Sequence, residues 1–135
     1  MTNITDVEGI GPDYAAKLAG AGITTTEALL EAGGKPSGRA AIESSTGIDH
    51  DLVLEWVNHA DLMRLKGVGS EYSDLLEAAG VDSPAELANR NAANLATTFQ
   101  EVAAARPGIV RRVPSETEIA DWIAQAKDLP KVVEH

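Results

Sequence analysis

Val7-Glu8-Gly9-Ile10-Gly11-Pro12-Asp13-Tyr14 returns 58 positions later as Leu65-Lys66-Gly67-Val68-Gly69-Ser70-Glu71-Tyr72. Each stretch is a Gly-hydrophobic-Gly turn running straight into a helix-forming segment. The register continues through Leu18 on Leu76, Ala21-Gly22 on Ala79-Gly80 and Leu29 on Leu87. Of the 24 paired positions that start at Val7 and Leu65, seven are identical and five more are conservative, which identifies one unit used twice. A second echo needs an offset of 66: it sets Trp56-Val57 on Trp122-Ile123 and Ala60 on Ala126.

The punctuation within each copy predicts helices throughout. The roughly ten residues after each turn form a helix closed by Gly22 or Gly80. Tyr72, Leu75, Leu76 and Ala79 share one helical face, and Tyr14, Leu18 and Ala21 repeat it with Lys17 in place of the leucine. Thr24-Thr25-Thr26-Glu27 and Asp82-Ser83-Pro84-Ala85-Glu86 are capping signals for a short helix. Ser37 and Asn91 are expected to start the helices that follow. The longest helix is expected from about Asp49 to Arg64, with Leu52, Val53, Trp56, Val57, Ala60 and Met63 as its apolar stripe. The last helix opens with the capping box of Ser115 and Glu118, buries Ile119, Trp122, Ile123 and Ala126, and stops at Pro130. The phase of both tryptophans with these neighbours places them in the core. Tyr14 and Tyr72 join them, with hydroxyls at the surface.

The expected fold is therefore all-α, with about eight to ten short helices. Residues 1–60 make the first unit and 61–135 the second, with helix 49–64 shared between them. No Pro/Ser/Gly linker intervenes, so one rigid domain is expected. Composition agrees with helix: 22 alanines stand against one Phe, two Tyr and two Trp, a make-up that suits closely packed helices. Hydrophobic residues at 44% and charged residues at 24% are ordinary globular values, which excludes wholesale disorder.

Several function classes are excluded by what the chain carries. It has no Cys, so disulfides, thiolate catalysis and Cys-based metal sites are out. No apolar run approaches the ~18 residues that span a bilayer, and Met1-Thr2-Asn3-Ile4-Thr5-Asp6 lacks the regions of a secretory signal. A cytoplasmic protein with no membrane partner is expected. The formal net charge of −10 repels phosphate at long range and argues against a generally cationic nucleic-acid binder. The closing Val133-Glu134-His135 carries no weight in this reading.

The two repeated stretches look like helix-hairpin-helix motifs. The chain as a whole resembles a family of small prokaryotic proteins of unknown function built on tandem copies of that motif. The likeness is strongest from Glu55-Trp56-Val57-Asn58-His59-Ala60 through Gly80-Val81-Asp82. It resumes at Arg111-Arg112-Val113-Pro114-Ser115 and from Trp122 to Pro130. The resemblance implies a motif that, in its DNA-binding members, grips a phosphate across the minor groove without reading bases.

Physical chemistry allows two uses for such a turn. Backbone N–H groups at the helix start, helped by the helix dipole, form a small anion site. The same turn also serves as a plain joint in which glycine supplies the backbone angles. The first hairpin, Gly9, Ile10 and Gly11, is flanked by Asp6, Glu8 and Asp13 and reads as structural. The second offers Arg64, Lys66, Gly67, Val68, Gly69 and Ser70 as a candidate phosphate site, with Glu71 competing for the same N–H groups. Arg106, Arg111 and Arg112 form the other basic cluster. Arg111 and Arg112 extend the site if the fold brings them there; otherwise they are a solvated connector balanced by Glu116 and Glu118.

Catalysis is not expected. His50 and His59 are out of phase on one helix, and Glu55 with His59 at i, i+4 supplies only two ligands, a weak metal site that reads rather as a solvated helical pair. Nucleotide-loop, nucleophile-elbow and HExxH patterns are all missing, as is a recognisable acid–base pair. No catalytic residue, metal or cofactor is assigned. The function expected is a non-catalytic binding module for an unidentified protein partner, in interaction or scaffolding. The alternative is weak, sequence-independent binding of DNA or RNA backbone through the second hairpin.

Overall fold

The computed structural model describes residues 2–135. Among these the regular structure is eight α-helices and one 3-10 turn, with no strand; Asn3 and Thr25 form an isolated antiparallel bridge. The protein is all-helical. Its contacts divide the chain into two units, Met1–Asp61 with Lys131–His135, and Leu62–Pro130.

The first unit contains the 3-10 turn Ile4–Asp6, α1 (Pro12–Gly20), α2 (Thr26–Gly33), α3 (Pro36–Thr46) and nearly all of α4 (His50–Leu62). Thr25 caps α2 by accepting from the Ala28 N–H at 3.0 Å. The start of α3, expected at Ser37, falls at Pro36, because a proline in the first turn has its φ already set and needs no N–H acceptor. α3 lies against both α1 and α2. Leu18, Leu29, Val53, Trp56 and Val57, all at most 1% exposed, form the centre of this unit.

α4 ends earlier than its apolar stripe suggested. After Leu62 the chain tightens, with the Leu65 N–H bonding the Leu62 carbonyl at 3.1 Å, so Met63 and Arg64 belong to the turn rather than the helix. The longest helix is instead α7, with 14 residues against 13 in α4.

The second unit holds α5 (Ser70–Ala78), α6 (Pro84–Leu87), α7 (Ala92–Ala105) and α8 (Glu116–Asp128). Ser83, Asn91 and Ser115 cap α6, α7 and α8, the last in a complete capping box with Glu118. α8 packs on α6 and α7, and α5 packs on α7. Leu75, Leu76, Leu87, Leu95, Phe99, Ile119 and Trp122 make the core between them.

Residues 131–135 were expected in the second unit, but they pack on the first. α8 stops at Asp128, Leu129 is extended, and the chain beyond Pro130 buries Val133 and bonds to Gly34 and Arg39. No helix of the described residues is long and apolar enough to cross a membrane.

Candidate functional site

The second Gly-x-Gly turn is built by three backbone hydrogen bonds. Leu65 N–H meets the Leu62 carbonyl, Val68 N–H meets the Leu65 carbonyl at 3.2 Å, and Ser73 N–H meets the Gly69 carbonyl at 2.9 Å to start α5. Gly67 lies between them at φ +93°, a left-handed conformation that side chains disfavour. Val68 points into the core, while Lys66, Gly67 and Gly69 are exposed. A Cβ on Gly67 would stand 3.1 Å from the indole nitrogen of Trp122, whose ring lies 5.2 Å from that of Tyr72. Gln125 of α8 grips the backbone of Lys66 at both ends, accepting from its N–H at 2.8 Å and donating to its carbonyl at 3.1 Å.

The first turn uses the same bonds. Val7 N–H meets the Ile4 carbonyl, Ile10 N–H the Val7 carbonyl and Ala15 N–H the Gly11 carbonyl, with Gly9 at φ +91°. Ile10 is buried, and Gly9 faces the indole nitrogen of Trp56, whose ring is 5.0 Å from that of Tyr14. Lys17, where the second copy has leucine, lays its ammonium over the Tyr14 ring at 5.8 Å. Neither α1 nor α5 has a side-chain cap on its first N–H groups.

Charge around the second turn is arranged differently from the expectation. The fold does bring Arg111 there: it lines an open cleft of about 300 Å³ together with Gly67, Gly69, Ser70, Glu71 and Tyr72. But Arg111 is not balanced by Glu116. Its Nε and Nη2 donate to Oε2 of Glu71 at 2.9 and 2.7 Å, and its backbone N–H donates to Oε1 at 2.9 Å. Glu71 therefore turns towards Arg111 rather than back to the helix start. The pair and its backbone bond hold the Glu71 carboxyl below the usual carboxylate range. Arg112 meets Glu118, one of the two carboxylates expected to balance it, donating to both its oxygens at 2.7 and 3.0 Å. Its carbonyl accepts from the Tyr72 hydroxyl at 3.1 Å. Arg64 donates to the Pro130 carbonyl at 2.6 Å. Arg106 is exposed at the end of α7 and does not line the cleft.

The fork from Arg112, helped by the Ser115 N–H, pulls Glu118 from 4.5 down to about 2. Because the folded value is depressed, the stability this group contributes is present above pH 4.5. It is lost as pH falls through about 2. The expected NMR titration of the Glu118 carboxyl carbon has its midpoint near 2, and a midpoint near 4.5 would show the fork to be absent in solution.

The pairing of Glu71 with Arg111 and the part played by Gln125 escaped the sequence reading. Glu71 and Arg111 are 40 positions apart, and nothing local links them. Gln125 had one available signal: it sits three residues after Trp122, on the helix whose tryptophan the echo with Trp56 places in the core.

No curated protein and no solved structure matches the chain. A family model described as Domain of unknown function (DUF4332) matches residues 8–129, a stretch that includes both Gly-x-Gly turns and all eight α-helices, and the chain belongs to that family.

Proposed function

We propose that this chain is a non-catalytic module of two helix-hairpin-helix units and that its partner is another protein. Support for two such units comes from the matching turns, each with the same hydrogen bonds, the same left-handed glycine and a tryptophan beneath it. The observation that carries the choice of partner is the state of the two arginines near the second turn. Arg111 meets Glu71 and Arg112 meets Glu118, each at two points. A phosphate arriving here must displace a carboxylate from a guanidinium while approaching a chain of net charge −10.

The alternative reading, backbone binding of DNA or RNA through Arg64, Lys66, Gly67, Val68, Gly69 and Ser70, draws on two observations. The first N–H groups of α5 lack a side-chain cap, and Lys66 is exposed beside them. A gel-shift series at ~50 mM salt, where phosphate attraction is near its strongest, separates the two. The wild-type chain is expected to retard neither duplex DNA nor single-stranded RNA. Nor is the Glu71→Lys variant, which adds a cation and releases Arg111. Retardation that grows with Glu71→Lys, vanishes with Lys66→Glu and fades as salt rises would establish the nucleic-acid reading instead.

A further inference from the structure

Residues 131–135 meet the first unit at a place shaped to receive them. Val133 is 1% exposed. Glu134 donates its N–H to the Gly34 carbonyl at 2.7 Å, and its own carbonyl accepts from Nη2 of Arg39 at 2.7 Å. Nε2 of His135 lies 2.8 Å from Oδ1 of the buried Asn58. A Cβ on Gly34 would stand 2.5 Å from the Val132 carbonyl oxygen, so only glycine lets the segment's backbone come this close. The end of α2, one side chain of α3 and one of α4 thus converge on five residues that form neither helix nor strand.

Arg39 is the chemically unusual member of this seat. It is 4% exposed, yet no carboxylate pairs with it among the described residues. Nη1 donates to the Gly33 and Gly34 carbonyls at 2.9 and 3.2 Å, and the buried Nε has no acceptor. A buried guanidinium that meets only carbonyl dipoles has its desolvation offset incompletely. A charged acceptor in place of the Glu134 carbonyl would offset it further, because hydrogen bonds between ionised partners are roughly twice as strong as neutral ones.

We propose that Gly34, Arg39 and Asn58 form a docking site for a short non-helical segment of a partner protein. That segment seats a valine-sized side chain and brings a carboxylate to Arg39, and residues 131–135 hold the site as a built-in competitor. The proposal rests on the protein-binding reading above and names the chemistry of the partner. The seat lies within the family-matched residues 8–129, and its present occupant lies after them. A tethered occupant acts at an effective concentration on the order of millimolar, so a partner displaces it only by binding more strongly. The carboxylate supplies that advantage.

The test uses the full chain carrying Val133→Asp, which places a charge where a side chain is buried and so releases the segment. Two acetylated peptides, Lys-Val-Val-Glu with a free α-carboxylate and the same peptide amidated, are titrated against it. In the first peptide, an ionised carboxylate takes the position of the Glu134 carbonyl. The free-carboxylate peptide is expected to bind about tenfold tighter than the amide. Backbone NMR shifts should centre on Gly34, Arg39 and Asn58. The wild-type chain, with its own segment in place, is expected to bind either peptide at least tenfold more weakly than the variant does. Adding Arg39→Met should erase the preference between the peptides. Should circular dichroism show that Val133→Asp does not fold, Val133→Ser releases the segment more gently and is read in the same way. A folded variant that binds neither peptide, or binds both equally, overturns the proposal. That result leaves the protein-partner reading standing if nucleic acid is still not retarded, whereas retardation of nucleic acid defeats that reading whatever the peptides do.

Discussion

Replacing Trp56 or Trp122 with alanine is expected to lower the stability of the unit that holds it by about 3–5 kcal/mol. The two rings are 0% and 2% exposed, and each fills the space beneath a left-handed glycine while touching a tyrosine of the following helix. Truncation removes the buried ring and leaves a cavity that the turn's hydrogen bonds oppose closing. Small domains have only about 5–15 kcal/mol of stability in total, so either variant loses a large share. Urea unfolding followed by far-UV circular dichroism measures the loss. Trp56→Phe is expected to cost less than Trp56→Ala, because the Trp56 indole N–H has no acceptor that the change would leave unpaired. An alanine variant that unfolds within about 1 kcal/mol of wild type would show that the ring carries little packing and remove the core reading.

Gly38→Ala is the second large effect expected. Its Cβ would stand 2.0 Å from the Ala32 carbonyl oxygen and 3.1 Å from the Ala32 carbonyl carbon. Both atoms are backbone of α2, so no rotamer change relieves the clash, and α2 and α3 must move apart. Alanine favours helix over glycine by about 1 kcal/mol, but this is outweighed by overpacking on the order of 3 kcal/mol. Gly20→Ala is the control, since a Cβ there meets nothing within 4 Å and Gly20 closes α1 without a left-handed angle. It should leave stability unchanged or slightly raised. Thermal melts of the two variants side by side decide the matter: equal midpoints would mean that α2 and α3 do not approach as closely as Gly38 requires.

Much of the local architecture was readable because its causes lie within a few residues along the chain. Ser83, Asn91 and Ser115 each cap a helix through an N–H three residues ahead, so sequence spacing alone carries the signal. The Gly-x-Gly turns close on carbonyls three or four residues back, and the tryptophan echo marked both rings as core. Two helix bounds were still misread. Ser37 lost the start of α3 to its neighbour Pro36, and α4 stopped at Leu62 although its apolar stripe ran further.

The charges of the candidate site and the seat of the last residues belong to another class of cause. Arg111 and Glu71 meet across 40 positions, and Arg39 and Glu134 across 95. Such partners are chosen by which helices pack together and by what burial leaves unsatisfied. An exposed ion pair is weak and imposes no pattern on nearby residues, and a buried arginine in α3 looks like any surface arginine until its neighbours are known. Helices, caps and turns were therefore determined by the sequence alone, through short-range hydrogen bonds and the periodicity of apolar residues. Which cation Glu71 neutralises, and where residues 131–135 lie, were decided only by the tertiary structure, because both depend on groups that packing brings together from distant parts of the chain.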